Sequence, residues 1–499
     1  NEIKNSKALT GRRLQAVALS IRPNKAAGID GWTIPELRAL LPEHWDELAA
    51  ILRRCEYLCF WPEGVAGSII CMLPKEAGDA PTSQRPIGLL PMVYRIWAAA
   101  RSPEIRRWAL SKGQDDAWGG KPGAGAMDAA FSLGVEGEAA LAEGHCMGAV
   151  FLDCSKCYER IPIAALYRAA VADGFPPGLA RMACLQYQAP RFVRVAGAAA
   201  EAGCVTRGMV AGCGMAVALL QSYLGPLARN IRTQEGGAGT RVRTYVDDLT
   251  LAKTGTAQEV AEALIRAYGM AKEGLGRIGQ KLQTTKTVVL AVGPDARRTV
   301  KNAFKASYEE DLGISFSARD LGVDATLGGP KRIKVLRDRV SKIGGRATRI
   351  MSLPVGAYKR ARLVGGLLIA GGMYGAELTN VPGHLKKKVR TAVARAISGK
   401  ALNSRRCLAG VILAVPGRPL EPDVAVPADV VHGWAKKNVL HPERGPEPGR
   451  GMEAGSHQGR WQRKGRSRQR QARERASGSR RRNTRRTRMG GRWALYLDR

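Results

Sequence analysis

Three aspartates carry the most specific chemistry legible in this chain. Asp153 follows the apolar run Gly148–Leu152 (GAVFL), and Asp247 and Asp248 close the segment Tyr245–Asp248 (YVDD). Phosphoryl transfer from a nucleotide uses two Mg²⁺ ions roughly 3.5–4 Å apart, one activating the attacking 3′-hydroxyl and one holding the triphosphate. Mg²⁺ takes hard oxygen ligands and keeps much of its shell as water and phosphate. One Asp at a strand end and an Asp pair at a hairpin tip would meet that need. Alone, an apolar residue followed by Asp-Asp is more often a solvated turn.

The neighbouring residues predict rigid supports for those carboxylates. Gly148–Leu152 reads as a buried strand running into Asp153. Pro162 opens a helix, IAALYRAAVAD, that Gly174 stops. Arg241 to Ala252 (RVRTYVDDLTLA) has two β-rich arms meeting at Asp247-Asp248, as in a hairpin. Thr256 and Glu259 form a capping box ahead of a helix with Val260, Leu264, Tyr268 and Leu275 on its apolar side. Lys286 to Val292 (KTVVLAV) reads as another strand. Strands interleaved with helices predict an α+β fold with a sheet covered on one face.

Beyond Pro330 the chain turns helical and basic. Ile333, Leu336, Val340, Ile343, Ala347 and Ile350 recur at spacings of three and four, with Arg332, Lys334, Arg337, Arg339, Lys342, Arg346 and Arg349 between them. This pattern predicts an amphipathic helix with a cationic outer face. Lys386, Lys387, Lys388, Arg390 and Arg395 repeat it, which favours duplex binding over a merely solvated surface. Residues 401–448 read as a proline-rich linker. The following tail, 449–499, lacks apolar periodicity and is expected to be disordered. Residues 443–499 hold 18 Lys/Arg against 5 Asp/Glu, in keeping with either RNA binding or a solvated end.

The whole chain of 499 residues has a formal charge of +36 and a pI near 10.3. Such a surplus points to a polyanion, nucleic acid above all. A membrane partner is disfavoured, because no apolar run approaches the ~20 residues of a spanning helix. No secretory signal is evident. The ten cysteines show no zinc or disulfide spacing, Cys154 and Cys157 being a lone C-x-x-C. An intracellular reducing compartment, nucleus or cytoplasm, is the expectation. The start at Asn1 suggests an excised or truncated piece, which leaves open an N-terminal partner domain.

The motifs resemble, in order, those of the reverse transcriptase family, and particularly its non-LTR retrotransposon (LINE-like) and group II intron branch. NKAAGIDGW (24–32) is similar to that branch's opening motif, and LPK (73–75) and SQRPIGLLPMVYRI (83–96) to its fingers segment. FLDCSKCYERI (151–161) resembles the first catalytic motif, RGMVAGCGMAVALL (207–220) the template grip, and YVDD (245–248) the second catalytic motif. GQKLQTTKT (279–287) and DLGV (320–323) resemble the next motif and the primer grip.

The resemblance implies a right-hand polymerase: fingers over 1–148, a palm with an antiparallel sheet over 149–329 and a helical thumb over 330–400. It implies two Mg²⁺ ions, with Mn²⁺ as a substitute, on Asp153, Asp247 and Asp248. Lys75 and Arg85 would hold the incoming triphosphate, a guanidinium fork suiting phosphate oxygens and a lysine adding a point charge. Lys286 would sit near the leaving pyrophosphate, and Gly212 would let template and nucleotide approach the backbone. Tyr158, five residues after Asp153, would block a ribose 2′-hydroxyl; a core position would suit the same tyrosine. The implied partners are an RNA template, a DNA primer and dNTPs, with an endonuclease domain missing from view. The family's usual Gln-Gly is Ala211-Gly212 here. Two rivals stand beside an RNA-directed DNA polymerase: an RNA-directed RNA polymerase, and a catalytically decayed copy that only binds RNA.

Overall fold

The computed structural model describes residues 8–74, 84–112, 116–121, 123–195, 198–234, 240–309, 312–329, 332–399 and 420–440. Lys75, the basic tail 449–499 and most of the expected linker lie outside them. Eleven strands are present among the described residues: β1 Ser68–Pro74, β2 Gln84–Leu89, β3 Cys146–Leu152, β4 Arg191–Val195, β5 Ala198–Gly203, β6 Arg241–Tyr245, β7 Asp248–Gly255, β8 Val288–Val292, β9 Gly313–Ser315, β10 Ala318–Asp320 and β11 Val323–Ala325. The fold is mixed α+β.

The central sheet has the order β6-β7-β3-β8-β9. β3 lies between β7 and β8 and runs antiparallel to both. Every residue of β3 is buried, and its alternate side chains feed two different cores. Val150 and Leu152 join Val260, Leu264 and Tyr268 of the helix Ala257–Arg277, together with Val300 and Phe304 of the helix Ala296–Ser307. Met147, Ala149 and Phe151 point the other way, toward Leu133 and Ala140 of the helix Ala126–Ala142. The sheet is therefore covered on both faces around β3, not on one. A strand buried on both sides reads as a continuous apolar run without polar alternation, as GAVFL does. Gly148 permits the tight fit: a Cβ there would meet Val260 Cγ1 at 2.6 Å and Leu264 Cδ1 at 2.7 Å.

A second sheet, β2-β1-β4-β5, is built from two stretches of chain more than a hundred residues apart, with β1 and β4 parallel. Around it, residues of the N-terminal helices share one apolar core with residues 154–224, so packing is continuous across the expected boundary at 148/149. In this core Glu56, only 2% exposed, accepts hydrogen bonds from Trp97 Nε1 at 2.7 Å and Arg101 Nε at 2.7 Å.

The C-terminal helices have a core of their own, formed by Leu336, Val340, Ile343, Ala347 and Ile350 with Val389, Val393 and Ile397. The predicted amphipathic stretch is two helices, Lys334–Ser341 and Ile343–Met351, that break at Lys342 but keep one apolar side. Part of the expected linker is a helix, Pro422–Leu440. Its start draws in two cations assigned to a free basic face. Lys386 Nζ lies 2.9 Å from Asp423, and Arg390 pairs with Glu421 and with Asp423, the latter at 2.6 Å. Prolines suggested a linker, yet Pro422 occupies the first helical position, where its missing N–H costs nothing.

Candidate active site

β6 and β7 form a hairpin in which Tyr245 pairs with Asp248, leaving Val246 and Asp247 as the two-residue tip. Asp247 is thus in the turn, while Asp248 is the first residue of β7. Val246 has φ +58°, a region unfavourable for a β-branched residue. The loop 116–120 supports this tip. Trp118 N–H donates to the Thr244 carbonyl at 2.9 Å, and a Cβ on Gly119 would come within 2.5 Å of Val246 N.

Asp153 follows Leu152, whose partner on β7 is Leu249, next to Asp248. Antiparallel pairing across one strand boundary therefore brings residues 153 and 248 side by side, though 95 positions separate them. The segment after the helix Ala257–Arg277 returns to the same place: Gln283 N–H donates to the Asp153 carbonyl at 2.8 Å, and Ser155 N–H to the Lys281 carbonyl at 2.8 Å. A short 3₁₀ turn, Thr284–Lys286, then sets Lys286 Nζ 3.6 Å from Asp153 Oδ2.

The carboxylates act on one another. Asp248 is pushed up to about 7 by partial burial and by the charges of Asp247, Asp320 and Asp153, with Arg243 opposing. Asp247 is raised by burial and by Asp153 and Glu159. Burial, followed by these three aspartates, pushes the Cys154 thiol up to about 12. Cys154 and Cys157 are buried free thiols. Among the described residues no three His, Cys, Asp or Glu side chains enclose a cation by themselves. The donor set is nevertheless hard oxygen, crowded with negative charge and open to solvent. It suits Mg²⁺, which completes its shell with water and phosphate, better than a closed structural ion.

The remaining candidates are Tyr158, which interacts with Asp247, and Gly212 and Arg85, which lie by β2. Tyr158 lies in the short helix Cys157–Arg160, half-buried against the large core, and its hydroxyl is pushed up by burial and then by Asp247. Gly212 has φ +103°, and a Cβ there would sit 3.2 Å from the Gly88 carbonyl of β2. Gly88 N–H donates to the Ala211 carbonyl at 2.9 Å. The backbone of Ala211 thus joins the glycine loop to the strand carrying Arg85, whose side chain is exposed opposite Leu73. Lys75, one residue beyond β1, is outside the described residues.

Two residues were missed as site residues. Arg243 Nη2 on β6 lies 2.7 Å from Asp320 Oδ1 on β10, both side chains 4% exposed. The same guanidinium donates to Thr250 Oγ1 at 2.7 Å and to the Ala129 carbonyl at 3.2 Å. Both charges reach Asp248. The available signal was weak: β6 reads RVRTY, and only the tertiary structure shows that Arg243, in the middle of the strand, is buried and so requires an acid beside it.

Residues 73–324 match the family model described as reverse transcriptase (RNA-dependent DNA polymerase). No curated protein matches the sequence. Among solved structures the chain is similar to apo telomerase from Candida tropicalis truncated from its C-terminal domain, at 13% identity and a TM-score of 0.38. That likeness covers 59% of this chain and 61% of the other, and is too remote to carry an argument. The family match stands without it. It runs from β1 to β11 and takes in both main sheets, the Asp153 strand and the Asp247–Asp248 hairpin, half the chain in all; the chain belongs to the reverse transcriptase family.

Proposed function

We propose that this chain is an RNA-directed DNA polymerase of a non-LTR retrotransposon-type element, adding dNTPs to a primer 3′-hydroxyl on an RNA template. The observation that carries the reading is the meeting of Asp153 with the Asp247–Asp248 hairpin on neighbouring strands, with Lys286 at 3.6 Å from Asp153. Asp153, Asp247 and Asp248 would hold two Mg²⁺ ions, or Mn²⁺. Bound there, such ions lower the cost of forming the 3′-alkoxide and neutralise the triphosphate. Lys286 would stabilise or protonate the leaving pyrophosphate. Arg85 and Lys75 would grip the triphosphate, and Gly212 would leave room for template and nucleotide beside the backbone.

Tyr158 favours deoxynucleotides, because a ring close to Asp247 would occupy the space of a 2′-hydroxyl. The decayed-copy rival draws on Ala211, where the family's usual glutamine amide and its polar contact to nucleotide or template are absent; the intact Asp153, Asp247, Asp248, Lys75 and Arg85 argue against it. Residues 1–148, 149–329 and 330–400 would act as fingers, palm and thumb. An endonuclease acting with this chain would supply the nicked primer, in the nucleus or cytoplasm.

The test is primer extension by the full chain on an RNA template with Mg²⁺, offering dNTPs or NTPs. Extension with dNTPs that vanishes in Asp247→Ala, with RNA binding retained, is expected. Preferential use of NTPs, or extension untouched by that substitution, overturns the proposal.

A further inference from the structure

We infer that the basic face of the helix Ala296–Ser307 is a second binding surface for single-stranded RNA, remote from the catalytic carboxylates. The inference leans on the proposed polymerase function only in choosing RNA as the polyanion. Ala296, Val300 and Phe304 bury one side of this helix against the central sheet. On the outer side Arg298, Lys301 and Lys305 are exposed and Arg297 is half-buried. Arg297, Lys301 and Lys305 are spaced four apart, one above another on a single helical face. Like charges at that spacing repel and weaken the helix. A polyanion laid along the stripe turns that cost into attraction.

The stripe forms one wall of a cleft of about 620 Å³, and Asp295, paired with Arg298 at 3.0 Å, is the one carboxylate among the described residues that line it. Beside the cleft is Phe316, 42% exposed. The Arg297 guanidinium lies 3.4 Å from its ring centroid and that of Arg332 lies 4.9 Å away. Planar cations held against a ring are platforms for unstacked bases. A duplex hides its base faces and would gain only charge here, so single strands are favoured.

The surface is well away from the chemistry. Val292 pairs with Met147, and a Cβ on Gly293 would strike Cys146 at 2.8 Å. The helix therefore leaves the sheet at the start of β3, roughly 20 Å along the strand from Asp153 at its other end. RNA held here would be retained without entering the catalytic site.

The test uses the full chain and a fluorescent single-stranded RNA of about 30 nucleotides, followed by anisotropy across a salt series. R298E/K301E/K305E is expected to lower affinity about tenfold and to reduce the salt slope by about two, as three lost phosphate contacts on a single strand require. F316A keeps the charge but removes the ring, so it should weaken single-stranded RNA several-fold and leave duplex RNA unchanged. Unchanged affinity and slope in the triple variant overturn the inference. So does an equal loss for single-stranded and duplex RNA in F316A. Extension on a short primer–template should be normal in both variants. If the unaltered chain fails to extend at all, the polymerase reading falls while the RNA surface is still measured separately.

Discussion

Asp320 and Arg243 stand 77 residues apart in the chain and meet at 2.7 Å in the core, where both charges act on Asp248. β10 and β6, on which they lie, belong to different sheets. The pair links the β10–β11 hairpin to the hairpin that carries Asp247 and Asp248. From its other end, β11, Asp324 accepts hydrogen bonds from the Val335 and Leu336 amides at 3.0 and 3.1 Å and so caps the first C-terminal helix.

Breaking this pair should be costly. Arg243→Met leaves the Asp320 carboxylate buried and unpaired, and is expected to destabilise the fold by about 3–5 kcal/mol. Arg243→Met with Asp320→Leu removes both charges and should recover most of that loss. Chemical denaturation of the single and double variants measures the difference.

Asp248 should carry a trade-off between stability and activity. Its folded value is raised from the ordinary 3.8 to about 7, so the native state holds the proton more tightly than the unfolded chain. The resulting penalty is absent below about pH 4, grows as pH rises through the interval to about 7, and is constant above it. Asp248→Asn should therefore melt higher than the unaltered chain at pH 8 in EDTA, with the gain vanishing near pH 4, and it should not extend primers. Thermal melts across that range check the sign.

Tyr158 should discriminate between sugars. Tyr158→Ala opens space beside Asp247 and is expected to raise the relative kcat/KM for NTPs by roughly tenfold or more, a missing steric block being worth at least one or two kcal/mol. Single-nucleotide incorporation with matched dNTP and NTP measures the ratio.

Gly212 should resist any side chain. With φ +103° and a Cβ 3.2 Å from the Gly88 carbonyl, Gly212→Ala forces the loop away from β2. A stability loss of about 1–3 kcal/mol is expected from backbone strain, with a larger fall in extension. Gly214→Ala is the control, since a Cβ there meets nothing closer than 3.9 Å.

Lys286→Ala should lower kcat by roughly a hundredfold with little change in KM, as removal of a general acid does. A Lys286→Arg variant that restores much of the rate would indicate charge stabilisation over proton donation. Pre-steady-state extension separates the two.

Much of the local structure was legible because it is decided within a few residues. The capping box of Thr256 and Glu259 forms as read, with Thr256 N–H donating to Glu259 at 2.8 Å. Gly174, at φ +70°, follows the helix Ile163–Ala172 as its stop. The hairpin closes at the tip of YVDD because its two arms are β-rich and its turn is short. The two-sided cover of β3 was less legible. An apolar run signals burial, but not how many layers bury it.

The order of residue types thus determined the strands, the caps, the basic character and the family motifs, each a matter of periodicity or of near neighbours. Tertiary structure decided the rest. It set Asp153 beside Asp248, tied Arg243 to Asp320, seated Gly212 against β2 and neutralised Arg390 with Glu421 and Asp423. These are long-range pairings. Whether an exposed-looking cation is free, or a strand acid is crowded, depends on which distant segment the packing of the core brings alongside, and spacing along the chain carries no measure of that distance.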